Sequence, residues 1–379
     1  MTTVLAPALD ALLADLRQLV ECESPSSDLA AVERSADLVA RLGTERLGEA
    51  PERIVVDGVH HLRWRFGARS RGRDRVLLLA HHDTVWPIGT LARRPFAVTD
   101  GVLRGPGCFD MLAGLVMALH AIADLGNREG VTLLVTGDEE LGSASSRELI
   151  EDEARGASAV LVLEASADGG ALKTARKGTS LYEVDVAGRA AHAGLEPEKG
   201  VNATLEMAHQ VQLVAALADK ALGTTVTPTA ATAGVTANTV PAWARFAVDV
   251  RAWTAAEQER VDEALRALTP VLSGAEVRVH GGVNRAPLEE SSSKALFDRA
   301  QAVAARLGLP PLTSAAVGGA SDGNFTAGVG VPTLDGLGAV GGGAHADDEH
   351  VLVDRLVDRT VLLRGLLQEL LPDAGGGSR

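Results

Sequence analysis

The chain has 379 residues, more than one ordinary hydrophobic core organises, so two domains are expected. Hydrophobic content of 46% with 23% charged residues describes a folded globular protein rather than a disordered one. A net charge of −14 argues against nucleic acid or an anionic membrane as the main partner, because both need a basic face, yet a few local cations could still hold a small anionic substrate.

The N-terminal stretch MTTVLAPALDALLADLRQLV has leucines at positions 5, 9, 12, 13, 16 and 19, the spacing of an amphipathic helix. Asp10 and Asp15 interrupt it and no basic start precedes it, so it does not read as a signal peptide. No window has the apolar length that crosses a bilayer. Two cysteines, Cys22 and Cys108, are too few for a disulfide framework, and cytoplasm is the expected location.

The first half then alternates strand-like segments (Arg75–Ala80, Val131–Thr136, Ala159–Leu163) with helix-like ones (Leu112–Leu125, Arg147–Ala154). Such alternation predicts an α/β domain with a mixed, mostly parallel sheet. After ARKGTS the character changes. LYEVDVAG alternates, GVNATLEMAHQVQLVAAL reads as a helix, and TVTPTAATAGVTANTV and ARFAVDVRA read as strands. The helix AAEQERVDEALRALTPVL and the strand AEVRVHGG complete a β-α-β-β-α-β order, the ferredoxin-like pattern. Residues 179–287 therefore read as an inserted domain, flanked by a discontinuous one of residues 1–178 and 288–379. The later part resumes with the helix KALFDRAQAVAARLG, a glycine-rich region and a last helix from Leu352, before a tail, AGGGSR, expected to be disordered. There is no internal repeat.

Three buried strand candidates end in metal-capable residues: His81-His82-Asp83, Asp138-Glu139-Glu140 and Glu164. Parallel strands carry ligands beyond their carboxyl ends, so these groups are expected to converge. Residues two apart on an extended segment share a face; His81 and Asp83 then point together, with Asp83 steadying a ligand, while His82 serves packing or a partner contact. Asp110, in GPGCFDM, reads alone as a helix N-cap, but its glycine-rich approach also suits a ligand. His345, in GGGAHADDEH with His350 following, would alone be a surface residue. Together His81, Asp110, Glu140, Glu164 and His345 suit two zinc ions about 3.5–4 Å apart, with Asp110 as the candidate bridge. Of the adjacent Glu139 and Glu140, one would bind metal while the other moves a proton from the attacking water to the leaving group.

These motifs resemble the co-catalytic zinc exopeptidase family that contains glutamate carboxypeptidase (carboxypeptidase G), succinyl-diaminopimelate desuccinylase and acetylornithine deacetylase. The likeness runs from LVECESPSS through AHHDTVWP, GPGCFDM, TGDEELGS and LVLEAS to GGGAHADDEH. It implies a zinc-exopeptidase-like catalytic domain with a ferredoxin-like lid and dimerisation domain. It implies two Zn2+ per subunit, with Co2+ or Mn2+ able to substitute: His81 and Glu164 on one, Glu140 and His345 on the other, Asp110 between them. Asp83 would support the site and Glu139 would be the general base. GRAAHAGLEPEKGVNA resembles the segment whose histidine, here His192, steadies the oxyanion across a dimer. ANTVPAWARFAVDVRAW resembles the segment in which Asn238 and Arg251 hold the substrate carboxylate. LEAS, KGTS, AHAG, GVNA and GGASDGN resemble most the glutamate carboxypeptidase branch.

Arg285, Lys173, Arg176 and Lys177 border the hinges of the inserted domain and are candidates for substrate contact, with a solvated charge as the plainer reading. Two departures from the family pattern stand out. Leu112 replaces a common lysine two places after Asp110, and Cys108 stands where a small residue is usual, either as an apolar filler or as an oxidisable thiol. The expected enzyme is a homodimeric hydrolase that releases a C-terminal amino acid, with glutamate foremost, from an N-acyl or peptidyl substrate bearing a free carboxylate. A biosynthetic N-acyl-amino-acid deacylase or desuccinylase is the alternative, and a metal-free binding homologue is a third reading.

Overall fold

The structure, a computed structural model, describes residues 8–67 and 75–371. The AGGGSR tail and Leu5 lie outside those residues. Two compact units form: Met1–Ala175 with Glu290–Val317 and Ser321–Arg379, and Arg176–Glu289 with Gly318–Ala320. Among the described residues no helix is long and apolar enough to cross a membrane.

The larger unit is built on a six-stranded sheet in the order Glu52–Val56, Val59–Arg65, Val131–Thr136, Val76–His81, Ala159–Val162, Thr333–Leu334. The last four strands run parallel and the first two join antiparallel. Every residue of Val76–His81 and Val131–Thr136 is buried, because both sheet faces are covered. Val76, Leu78 and Ala80 enter one core with the helices Leu9–Glu21, Ala113–Ala123 and Val353–Leu370. Leu77 and Leu79 enter a second, with Ile150 of Arg147–Arg155 and Phe325. Parallel register sets the functional edge: His81 pairs with Thr136 and Leu79 with Val162, so His81, the Asp138–Glu140 turn and Glu164 leave the sheet on one side.

The helix Ala113–Ala123 is buried on all sides, and Gly114 lets it lie against the strand behind it. A Cβ on Gly114 would stand 2.0 Å from the Leu163 carbonyl oxygen, a backbone atom that cannot swing aside. Gly114→Ala is therefore expected to destabilise by about 1–3 kcal/mol or more, as overpacking does, seen as an earlier urea midpoint with an unchanged slope.

The smaller unit is a four-stranded antiparallel sheet in the order Thr225–Ala233, Trp243–Ala252, Gly178–Ala187, Glu276–Arg285. Val184, Phe246, Val248 and Val250 point inward to Val214 and Val261, which lie on the helices Ala203–Ala215 and Ala255–Arg266. The expected single strand over residues 225–240 is divided. Gly234, at φ +65°, turns the chain, and Thr239–Val240 pairs with Ala191–His192 as a separate ribbon. The second helix ends at Arg266, ahead of Pro270, and the buried Glu206 carboxylate accepts the amides of Val271 and Leu272.

Candidate metal centre

His81 closes its strand with the ring Nδ1 2.9 Å from the Asp83 backbone carbonyl, an acceptor that puts a proton on Nδ1 and turns Nε2 inward. That Nε2 lies 3.6 Å from Asp110 Oδ1 and 3.6 Å from Glu164 Oε1. On the other side of Asp110, Oδ2 is 3.3 Å from His345 Nε2, which is itself 3.1 Å from Glu140 Oε2. Two donor clusters thus share one carboxylate, an oxygen to each.

The residues fit a metal on two counts. Donors about 2.0–2.2 Å from one tetrahedral zinc stand roughly 3.3–3.6 Å apart, close to the separations here. His81 Nε2 and Glu140 Oε1 are also buried without a hydrogen-bond partner among the described residues, an arrangement a cation would relieve.

The charges agree with this. Burial works against a charged His81, yet Asp110, Asp83 and Glu164 outweigh it and raise its pKa well above the usual imidazole value. Asp110 and then Glu140 lift His345 to about 10. Burial would raise the Asp110 carboxyl, but His345 and His81 hold it far below the carboxylate range, and Lys173 adds positive charge. Burial raises Glu140. The histidines thus sit in an excess of carboxylate that holds protons at them, and a divalent cation would displace those protons. Leu112 is buried in the core, and Lys173 adds to the positive charge that the two histidines direct at Asp110.

Asp110 is not an N-cap. Residues Asp110 and Met111 depart from helical geometry, and the helix starts at Ala113 without a side-chain cap. Asp83 is fully buried and accepts Ser26 Oγ at 2.6 Å, the Glu139 amide at 3.3 Å and the Glu140 amide at 3.2 Å. Glu139 belongs to neither donor cluster. Its turn is held from behind as well: Asp138 accepts the Ser145 amide and the hydroxyls of Ser145 and Ser146, and Asp322 accepts the Ser143 hydroxyl. The sequence offered no signal for Ser26, Asp138 or Asp322 as supports beyond their places in SPSS, TGDEE and GGASDGN.

His82 packs. It is fully buried, with Nε2 3.0 Å from the His60 carbonyl and Nδ1 3.1 Å from Ser35 Oγ, and burial lowers its pKa to about 4. The folded chain therefore sheds this proton more readily than the unfolded one, so stability falls as pH drops from about 6.5 towards 4, by about 3 kcal/mol. Denaturation of chelator-treated protein between pH 7 and 4.5 should reveal this slope, flattened in His82→Gln. Cys108 is the filler: it is fully buried, and burial raises its thiol well above the usual value.

The other predicted residues belong to the smaller unit. His192 is exposed on the ribbon, and its Nδ1 accepts the amides of Gly194 and Leu195 at 3.1 Å each, which leaves the proton on Nε2. The Ala193 amide donates to the Asn238 carbonyl at 2.9 Å, bringing those two segments together. Arg251 and Arg285 are both register partners of Thr179, on either side of its strand. The Arg251 guanidinium already donates Nε and Nη2 to Asp249 at 2.9 Å each, and Nη1 to Thr179. Arg176 and Arg285 are not solvated charges: they are 4% and 8% exposed. Lys177 donates to the Gly223 carbonyl and lies over the Trp253 ring.

Residues 77–369 match the peptidase family M20/M25/M40. The chain is 33% identical to carboxypeptidase G2 of a Pseudomonas species, over 80% of this chain and 75% of that protein. It is 28% identical to succinyl-diaminopimelate desuccinylase 2 of Shewanella loihica, over 78% and 85% respectively. Its fold superposes on the crystal structure of aminopeptidase PepT from Bacillus cereus with a TM-score of 0.73 at 20% identity, covering 96% of this chain and 99% of that one.

Proposed function

The chain belongs to peptidase family M20/M25/M40, whose members are metal-dependent hydrolases, and from that premise we propose a dinuclear zinc enzyme that cleaves an amide or peptide bond and releases a C-terminal amino acid, glutamate foremost. One observation carries the reading: the Asp110 carboxylate turns one oxygen to each of two donor clusters. We assign His81 and Glu164 to one ion, Glu140 and His345 to the other, and Asp110 to both. The bound ions would supply Lewis acidity towards the scissile carbonyl and the attacking water.

The rest is the work of side chains. Glu139, outside both clusters, takes the proton of the attacking water and hands it to the leaving nitrogen. Asp83 holds the turn on which Glu139 and Glu140 stand. His192 offers its Nε2–H to the oxyanion of the tetrahedral intermediate, acting on the site of a second copy of the chain. Asn238, Arg251 and Arg285 hold the substrate carboxylate; for Arg251 this means that Asp249 shares or yields its place. Residues 179–287 serve as lid and dimerisation domain in a cytoplasmic homodimer.

The desuccinylase relatives support a second reading, in which a biosynthetic N-acyl-amino acid is deacylated. Zinc analysis with a panel of N-acyl-glutamates and N-succinyl diamino acids tests both. About two zinc per chain with glutamate release supports the first reading. Two zinc with turnover only of the succinyl compounds moves the assignment to the second, and a chain that holds no zinc overturns both.

A further inference from the structure

Glu349 stands four residues after His345 and is fully buried, yet neither donor cluster includes it. Its carboxylate is filled by N–H groups. Oε2 accepts Trp86 Nε1 at 2.7 Å and the Gly107 amide at 2.9 Å, while Oε1 accepts the Phe109 amide at 3.0 Å and the Asp110 amide at 3.1 Å. Three of these donors come from the irregular segment that delivers Asp110, where no regular element supplies acceptors. The amides converge as they would around a bound anion, and the occupant is a side chain of the protein itself. Glu349 is anchored in turn: its own amide donates to Ala346 at 3.0 Å, within the turn that carries His345. The Arg94 guanidinium lies over the Trp86 ring, 4.2 Å from its centroid, and keeps the indole in place.

We propose that Glu349 is a positioning residue for the metal centre, clamping the Asp110 segment to the His345 turn, with Trp86 as its fourth anchor, so that the two donor clusters assemble together. This rests on the dinuclear reading above. Glu349 touches no reacting atom. It acts through the Asp110 peptide, and a carboxylate is required because each oxygen must accept two N–H groups. In Glu349→Gln an amide NH2 of the same size faces two donors that it cannot accept.

The test is zinc affinity, measured by competition with a chromophoric chelator, alongside melting of the metal-free protein and the visible absorption of the cobalt-loaded form. Glu349→Gln should bind zinc about 10–100-fold more weakly at both sites, the range typical of an outer partner, and shift the cobalt band. Trp86→Phe keeps the carboxylate and three of its donors, and should weaken zinc binding in the same direction by less. A Glu349→Gln protein that melts earlier but binds zinc as wild type does would overturn the clamp. Were that variant not to fold, wild-type affinity in Trp86→Phe would overturn it instead. Wild-type protein that binds no zinc would bring down the dinuclear reading itself, an outcome distinct from either.

Discussion

Glu139→Gln is expected to lower kcat about 10²–10⁴-fold, the usual worth of a positioned proton carrier, while zinc content stays at the wild-type value. Glutamine keeps the size of the side chain and loses only the basic oxygen. Glu139 contributes to neither donor cluster, and the hydrogen bond its backbone N–H donates to Asp83 is one that the substitution leaves alone. Steady-state kinetics on the substrate found active in the panel, paired with metal analysis of the same preparation, decide the matter. Near-normal turnover would remove Glu139 from the mechanism. Lost activity together with lost zinc would instead make it a ligand.

Asp110→Ala is expected to empty both cation sites at once, where Glu164→Ala or Glu140→Ala should each weaken one. The asymmetry follows from the two oxygens of Asp110, at 3.6 Å from His81 and 3.3 Å from His345. The loss should exceed the roughly 10–100-fold typical of an outer partner, at both sites, when the protein is equilibrated in graded zinc buffers. One ion held with wild-type affinity would mean that the carboxylate is not shared.

His81, Glu139, Glu140 and Glu164 were legible in the sequence because they follow short apolar runs, and buried parallel strands leave few other places for such residues. Asp110 was readable only in company, since one acid before a helical run has a commoner explanation as a cap. Glu349 was not readable at all. It lies in DDEH, which has the composition of a solvated loop, and its burial depends on amides some 240 positions earlier in the chain. Ser26 meets Asp83 across a separation of 57, with the same result.

In the smaller unit the long strands announced themselves by alternation. The His192 ribbon did not, because two residues on each side carry no period. Nor could the sequence foresee that the Arg251 fork would be taken by Asp249. Residues two apart on a strand share a face, but whether their side chains join depends on what else that face presents.

The Asp83 carboxylate receives the amides of both Glu139 and Glu140, while its own peptide carbonyl receives the His81 ring. The proposed proton carrier, a member of one donor cluster and a member of the other therefore hang from a single residue. A change there cannot trade affinity for turnover, because all three move together. Directed evolution for a new metal or a new leaving group is thus expected to leave Asp83 fixed and to work through positions whose effects are separable.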